Sequence, residues 1–201
     1  MRPTILELLR PVYRAMKVMH ALEKMGEKQF VPSIGPVKGR IVEDIIKKHK
    51  PRRILEIGAL HGYSAILMAT VLPEVGRVTT IEIDEANAIT VRRNVKEAGL
   101  SNKVEVIVGN ALEVLPSLNG KFDLLFIDAS KNEYFKYLKL AEKNLKKGSV
   151  VVADNVGIFQ EEMQDYLDYV RNSGRYRSDT IKTLLEFSKD VPDAIEVSIK
   201  L

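Results

Sequence analysis

Asp128, Asp154 and Asn155 set two carboxylates and an amide at the ends of two apolar runs that read as strands, FDLLFIDA (122 to 129) and SVVVADN (149 to 155). If these runs are neighbouring strands, their ends lie about 5 Å apart at the backbone, and the two acids can share one cation. A hard, all-oxygen set of this kind suits Mg²⁺ or Mn²⁺, which keep positions for water or substrate oxygens, and disfavours zinc. Lys131 follows Asp128 by three residues. Beside a bound cation its neutral amine is favoured and can take a proton from a hydroxyl. Taken alone, each aspartate also reads as a helix N-cap following a strand.

A second group lies earlier in the chain. The run RRILEIG (52 to 58) passes into Glu56-Ile57-Gly58-Ala59-Leu60-His61-Gly62-Tyr63-Ser64, where two glycines let the backbone approach a ligand before a helix begins. The next run, RVTTIEID (77 to 84), brings Glu82 to a strand end twenty residues after Gly62. A carboxylate there accepts hydrogen bonds from both hydroxyls of a ribose and repels a 2′-phosphate, so a nucleoside-containing cofactor is implied. The glycines are four apart, unlike the G-x-G-x-x-G of dinucleotide enzymes, and Glu56 puts a negative charge where a pyrophosphate would go. That charge suits an amino-acid ammonium or a sulfonium better. Gly109 and Asn110, after the run KVEVIVGN (103 to 110), are candidates for the adenine end.

These residues need a sheet to bring them together, and the chain supplies one. Five β-branched runs alternate with stretches of helical period, the pattern of an α/β fold with a parallel sheet covered by helices. Helices are expected over Tyr63 to Leu72, Glu85 to Ala98 and Tyr134 to Lys147, the last ended by Gly148. Upstream, Val37, Ile41, Val42, Ile45 and Ile46 fall at helical spacing and lead to Pro51. VPSIGPVKG (31 to 39) reads as a loop that can serve as a lid, and residues 1 to 25 read as helical with a break at Pro11. At the other end, Ile195, Val197, Ile199 and Leu201 alternate with polar residues, and a β-rich segment from Tyr176 to Leu185 precedes them, so a closing antiparallel pair is expected.

With 201 residues and 45% hydrophobic content, the chain reads as one globular domain, 1–201, with residues 1–30 as an N-terminal helical cap. The absence of cysteine excludes disulfides, thiolate metal sites and cysteine nucleophiles. Charge and proline interrupt every apolar stretch near the N-terminus, so neither signal peptide nor membrane anchor is expected, and a cytoplasmic protein is. The net charge of +4 is spread by alternating Lys and Glu rather than gathered into a basic block. His20, His49 and His61 show no metal-ligand spacing.

ILEIGALHGYSA, TTIEID, FIDASKNEYFKYL and VVVADNV, in this order and spacing, resemble the cation-dependent O-methyltransferases that include catechol and caffeoyl-CoA O-methyltransferases. The resemblance runs from about residue 30 to the end. It implies a Rossmann-like methyltransferase fold, a seven-stranded, mostly parallel sheet with a C-terminal antiparallel hairpin, and S-adenosylmethionine (SAM) as cofactor. It makes Glu56, Gly58, Ser64 and Glu82 cofactor contacts, together with Ile34, Gly62, Tyr63, Ile83, Gly109, Asn110, Ala111 and Asp128. Asp128, Asp154 and Asn155 become ligands of Mg²⁺ or Mn²⁺. Lys131 becomes the general base, and LEFSKDVPDAIE offers Glu186 as a contact to the acceptor hydroxyl.

The implied reaction is in-line displacement at the sulfonium methyl by a hydroxyl of a catechol-like small molecule. Ser130 stands where the catechol enzymes have an aromatic residue, and the segment after Asn155 is shorter than in the plant enzymes, so the acceptor wall differs. Some members of the family methylate a hydroxylated uridine in transfer RNA, an alternative the positive charge leaves open. A nicotinamide-dependent oxidoreductase is disfavoured by the glycine spacing and Glu56, and a non-catalytic cofactor-binding module is the remaining alternative. Either a monomer or a homodimer is compatible with the sequence.

Overall fold

The computed structural model describes residues 5–28, 31–188 and 190–201. Its sheet has seven strands: β1 (Arg53–Ile57), β2 (Arg77–Glu82), β3 (Val104–Val108), β4 (Phe122–Ile127), β5 (Leu145–Ala153), β6 (Tyr176–Leu184) and β7 (Pro192–Lys200). They lie in the order β3-β2-β1-β4-β5-β7-β6. The first five are parallel, and β7 runs antiparallel to both β5 and β6. The expected fold class and the closing hairpin are therefore present.

Seven helices accompany the sheet among the described residues: α1 (Ile5–Lys28), α2 (Gly35–His49), α3 (Tyr63–Val71), α4 (Glu85–Glu97), α5 (Ala111–Ser117), α6 (Tyr134–Ala141) and α7 (Gln164–Asn172). Successive strand residues point to opposite faces, and both faces are covered, which is why the central strands read as continuous apolar runs. Ile54, Leu124, Phe126 and Val152 pack with α2 and α3 on one side. Leu55, Ile57, Leu125, Ile127 and Val151 pack with Leu115, Tyr134, Leu138 and Leu167 of α5, α6 and α7 on the other.

Several local expectations are corrected. The helix expected over Tyr134 to Lys147 ends at Ala141, a single 3-10 turn covers Glu142–Asn144, and β5 already starts at Leu145. Gly148, at φ 84°, lies inside β5, where the pairing with β4 shifts register. Glycine there relieves a strand irregularity rather than ending a helix. Pro11 does not break α1, which runs from Ile5 to Lys28, and packing of that helix against α2, α3 and α4 offsets the cost of an internal proline. The loop expected over 31 to 39 stops at Gly35, because Pro36 falls in the first turn of α2, where a missing N–H costs nothing. The apolar face of α2 is also turned by one residue: Val37 is exposed and Lys38 is fully buried. α1 packs against α2, α3 and α4, with Ala15 fully buried, while Val12, Tyr13 and Met16 stay exposed. No described helix is long and apolar enough to cross a membrane.

β1 and β4 are neighbours, yet α3 leaves the end of β1 toward β2 while the chain after β4 leads to β5. This is the point where strand order reverses, and the carboxyl ends of the strands open a crevice there.

Candidate active site

One cavity of about 780 Å³ fills this crevice. It is lined by Ile34, Gly58, Tyr63, Ser64, Glu82, Ile83, Gly109, Asn110, Ala111, Asp128, Lys131, Asn155 and Glu186 from the residues selected by sequence. Ser130, expected to alter the acceptor wall, is on it, and Leu60, Tyr137, Ile158, Phe159 and Leu185 add apolar and polar wall that the sequence did not single out. Glu56, Gly62 and Asp154 are not on the wall: each stands one layer behind it.

The cofactor end is built from backbone. Gly58 (φ 91°) lies so close to the end of β4 that a Cβ there would meet the Asp128 carbonyl oxygen at 2.0 Å, so only glycine fits this turn. Gly62 (φ 86°) opens α3, whose first residues Tyr63 and Ser64 face the cavity; the partial positive end of the helix suits a carboxylate. The Glu82 carboxylate accepts from the amides of Ala59 (3.0 Å), Leu60 (2.8 Å) and Asp84 (3.0 Å). Three amides fix its orientation, and its remaining lone pairs are available to paired hydroxyls. Asn110 caps α5 by accepting from the Leu112 amide at 2.9 Å.

Glu56 is fully buried, and neither carboxylate oxygen has a hydrogen-bond partner. Burial pushes its pKa up from 4.5 to about 7; the neighbouring Ser64 and Thr80 hydroxyls oppose this, and Asp128 and Glu82 reinforce it. The fold thus binds a proton that the unfolded chain releases above pH 4.5, so stability present at low pH is lost as pH rises through about 7. The loss amounts to about 3 kcal/mol at pH 8. Thermal denaturation of ligand-free Glu56→Gln should show a Tm at pH 8 roughly 6 °C or more above the parent, converging with it near pH 4.5. Equal Tm differences at both pH values would contradict this.

At the other end, the Asp128 and Asp154 amides bond the carbonyls of Ile57 (2.9 Å) and Ile127 (3.1 Å), which extends the parallel ladder and brings both acids to adjoining strand ends. Lys131 pairs with Asp128 at 2.8 Å and bonds the Tyr134 hydroxyl at 3.0 Å. The Tyr134 hydroxyl in turn donates to the Asp154 carbonyl at 3.3 Å. Burial, with the charges of Asp128 and Asp154, holds the Tyr134 pKa well above its ordinary value, so it stays a donor. Asn155 sits in the left-handed region (φ 61°), a conformation asparagine tolerates better than other non-glycine residues. Its NH₂ donates to Asp193 (2.9 Å) and Glu186 (3.2 Å). That orientation leaves its carbonyl oxygen for the cavity.

The sequence missed Lys38 and Asp193. The Lys38 ammonium, fully buried, pairs with Asp154 (2.9 Å), Asp193 (2.5 Å) and Glu186. Burial alone would lower its pKa, but the surrounding carboxylates outweigh burial and raise it. Asp193 is held below the carboxylate range, against its burial, by Lys38, the Ile158 amide and Asn155. Lys38 was legible in principle, since it shares a helical face with Val42, Ile45 and Ile46. Asp193 carried no such signal, because a lone acid at the start of a hairpin strand is common.

A divalent cation fits these groups. Asp154 is fully buried, with the Lys38 ammonium 2.9 Å from one oxygen and no other donor on either, and burial together with Asp128 pushes its pKa well up although Lys38 opposes this, the condition of a carboxylate short of positive charge. The carboxylates of Asp154, Glu186 and Asp193 come within 4.8 Å of one another. The three carboxylates share the one ammonium of Lys38.

A family model described as O-methyltransferase matches residues 12–199. The chain belongs to the O-methyltransferase family. It is 36% identical over 177 residues to catechol O-methyltransferase of Bos taurus, which covers 85% of this chain and 64% of that one. Against catechol O-methyltransferase of Sus scrofa the identity is 35% over 179 residues, covering 86% and 95%. This member of the O-methyltransferase family thus spans just under two thirds of the bovine relative and nearly all of the porcine one. Among solved structures, an O-methyltransferase from Bacillus cereus in complex with SAH aligns with a TM-score of 0.80 at 26% identity, covering 95% of this chain and 90% of that one. The O-methyltransferase TomG from Streptomyces achromogenes, in complex with SAM, gives 0.81 at 27% identity, covering 93% and 89%.

Proposed function

We propose that the protein transfers the methyl group of SAM to a hydroxyl of a small vicinal diol of the catechol type, with a divalent cation at Asp128, Asp154 and Asn155. The observation that carries this reading is the continuity of one cavity from Glu82 to Asn155 and Glu186, a nucleoside-suited end and an oxygen-rich end within one crevice. Relatives named catechol O-methyltransferase and neighbours solved with SAM or SAH support the same reading.

At the cofactor end, Glu82 accepts the ribose hydroxyls, the start of α3 with Ser64 faces the carboxylate of the methionyl part, and Ile34, Tyr63, Ile83, Gly109 and Ala111 close the walls. Asp128, at the junction of the two ends, serves both. When bound, SAM supplies an electrophilic methyl and the cation favours the ionised form of an acceptor hydroxyl. Lys131 takes the hydroxyl proton, with Asp128 and Tyr134 fixing its amine. Glu186 accepts from the second hydroxyl of the diol. Ile158, Phe159 and Leu185 exclude water from that side, and Ser130, where the catechol enzymes carry an aromatic side chain, leaves a wider and more polar wall.

The test is methyl transfer from labelled SAM, with Mg²⁺, to a catechol and to the corresponding monophenol. Transfer to the catechol at least about tenfold faster than to the monophenol is the expected result. Equal transfer to both, or transfer to neither with bulk tRNA labelled instead, would contradict the diol assignment.

A further inference from the structure

The hairpin tip that carries Glu186 is gripped by the first two helices at two points. The first is ionic: Lys38, in the opening turn of α2, reaches Glu186, Asp193 and Asp154. Asp193 also receives the amides of Gly157 (3.1 Å) and Ile158 (3.0 Å), so this one carboxylate ties α2, the segment after β5 and the start of β7 together. The second point is apolar. Phe187, in the left-handed region at φ 55°, turns its ring over two glycines. A Cβ at Gly26 of α1 would lie 2.4 Å from the ring, and one at Gly35, the first residue of α2, 3.7 Å. Gly26 is buried beneath it.

Both grips act on neighbouring residues, and neither contact belongs to the sheet. A left-handed, non-glycine residue costs free energy and persists where its surroundings compensate. At Phe187 the glycine notch does so, and the strained turn faces Glu186 toward Lys38 and the Asn155 amide.

We infer that Lys38 and the Gly26/Gly35 notch form a clamp through which α1 and α2 position Glu186 and Asn155 against the acceptor, making Lys38 a positioning residue of the acceptor site. The inference rests on the proposed reaction for its consequence in catalysis, but the clamp itself is a property of the fold. Lys38 never touches the cavity wall: it acts through Glu186 and Asn155, which do. The acceptor site is then complete only with the N-terminal helices docked.

The test compares Lys38→Met and Phe187→Ala with the parent, using the full chain, at a temperature where all are folded. Amide hydrogen exchange is read at Leu185 to Ser188, with Val150 to Val152 as the core reference. Both variants should raise exchange at the tip by about tenfold while leaving the core strand unchanged. Both should raise KM for the catechol acceptor by about tenfold, with the dissociation constant for SAM within about twofold of the parent. A residue that merely stabilises the fold would speed exchange in tip and core together and leave KM alone. If Lys38→Met does not fold, Phe187→Ala still decides, since it removes no charge. Unchanged tip exchange in folded Phe187→Ala, or unchanged KM with loosened tip, overturns the inference. The exchange measurement needs no turnover, so failure of the proposed reaction and failure of the clamp are separately visible.

Discussion

Lys131→Ala is expected to lower kcat for methyl transfer by about 10²- to 10⁴-fold, the range for loss of a positioned general base. SAM binding should change little, because the side chain lies at the acceptor end of the cavity. The variant that discriminates is Lys131→Arg. A guanidinium can restore the pair with Asp128, now 2.8 Å from the lysine amine, but it does not give up its proton and so cannot act as a base. Both variants are therefore expected to be slow. If Lys131→Arg retained most of the parent kcat, the lysine would be acting only as a countercharge to Asp128, and the proton would have to leave by another route. Steady-state kcat with saturating SAM and Mg²⁺ is the measurement.

Removal of divalent cations carries the second large effect. Chelation should reduce methyl transfer to background, with recovery on adding Mg²⁺ or Mn²⁺. The same site predicts a thermodynamic signature that needs no turnover. A ligand that binds only the folded state at 100 times its Kd stabilises it by about 2.7 kcal/mol, or roughly 5–10 °C in Tm for a chain of this size. Mg²⁺ should therefore raise the Tm of the parent protein, and Asp154→Asn should abolish that rise. Asp154 is the right probe because it is fully buried and its one cationic partner among the described residues, the Lys38 ammonium 2.9 Å from one oxygen, is shared with Glu186 and Asp193. Full activity in chelator, or an Mg²⁺-dependent Tm rise that survives in Asp154→Asn, would contradict a cation at this site.

What could be read from the sequence follows from which interactions are local. Strand ends and the glycines beside them are local signals, and ten of the twelve residues selected for the cofactor, from Ile34 to Asp128, line one cavity. Glu56 and Gly62 lie behind it, because alternation along β1 turns the Glu56 side chain into the protein while Gly58 carries the turn. The hairpin of β6 and β7 was legible from alternation, but the alternation does not track burial: Glu196 and Ser198 of β7 are as buried as Ile195, because Arg171 and Thr180 meet Glu196 and Ser178 meets Ser198. The end of α6 was not: Gly148 has the same identity at a strand bulge as at a helix end, and only pairing with β4 tells them apart.

The acceptor end was half legible for a related reason. Asp128, Asp154 and Asn155 close consecutive strands, so topology alone brings them together. Lys38 and Asp193 stand 155 residues apart, and no spacing rule joins them. A lysine on the buried face of an amphipathic helix is nevertheless a physical anomaly, because an ammonium taken out of water needs carboxylates to meet it. Placing Val37 rather than Lys38 on that face hid the anomaly, and with it the link between the first helices and the acceptor wall.

Isothermal titration of SAM into the purified protein decides whether the crevice between β1 and β4 is a SAM site. One saturable site per chain, weakened by about tenfold or more in Glu82→Ala through loss of the ribose contacts, is the predicted result. No heat and no saturable binding, with the protein shown to be folded, would contradict it.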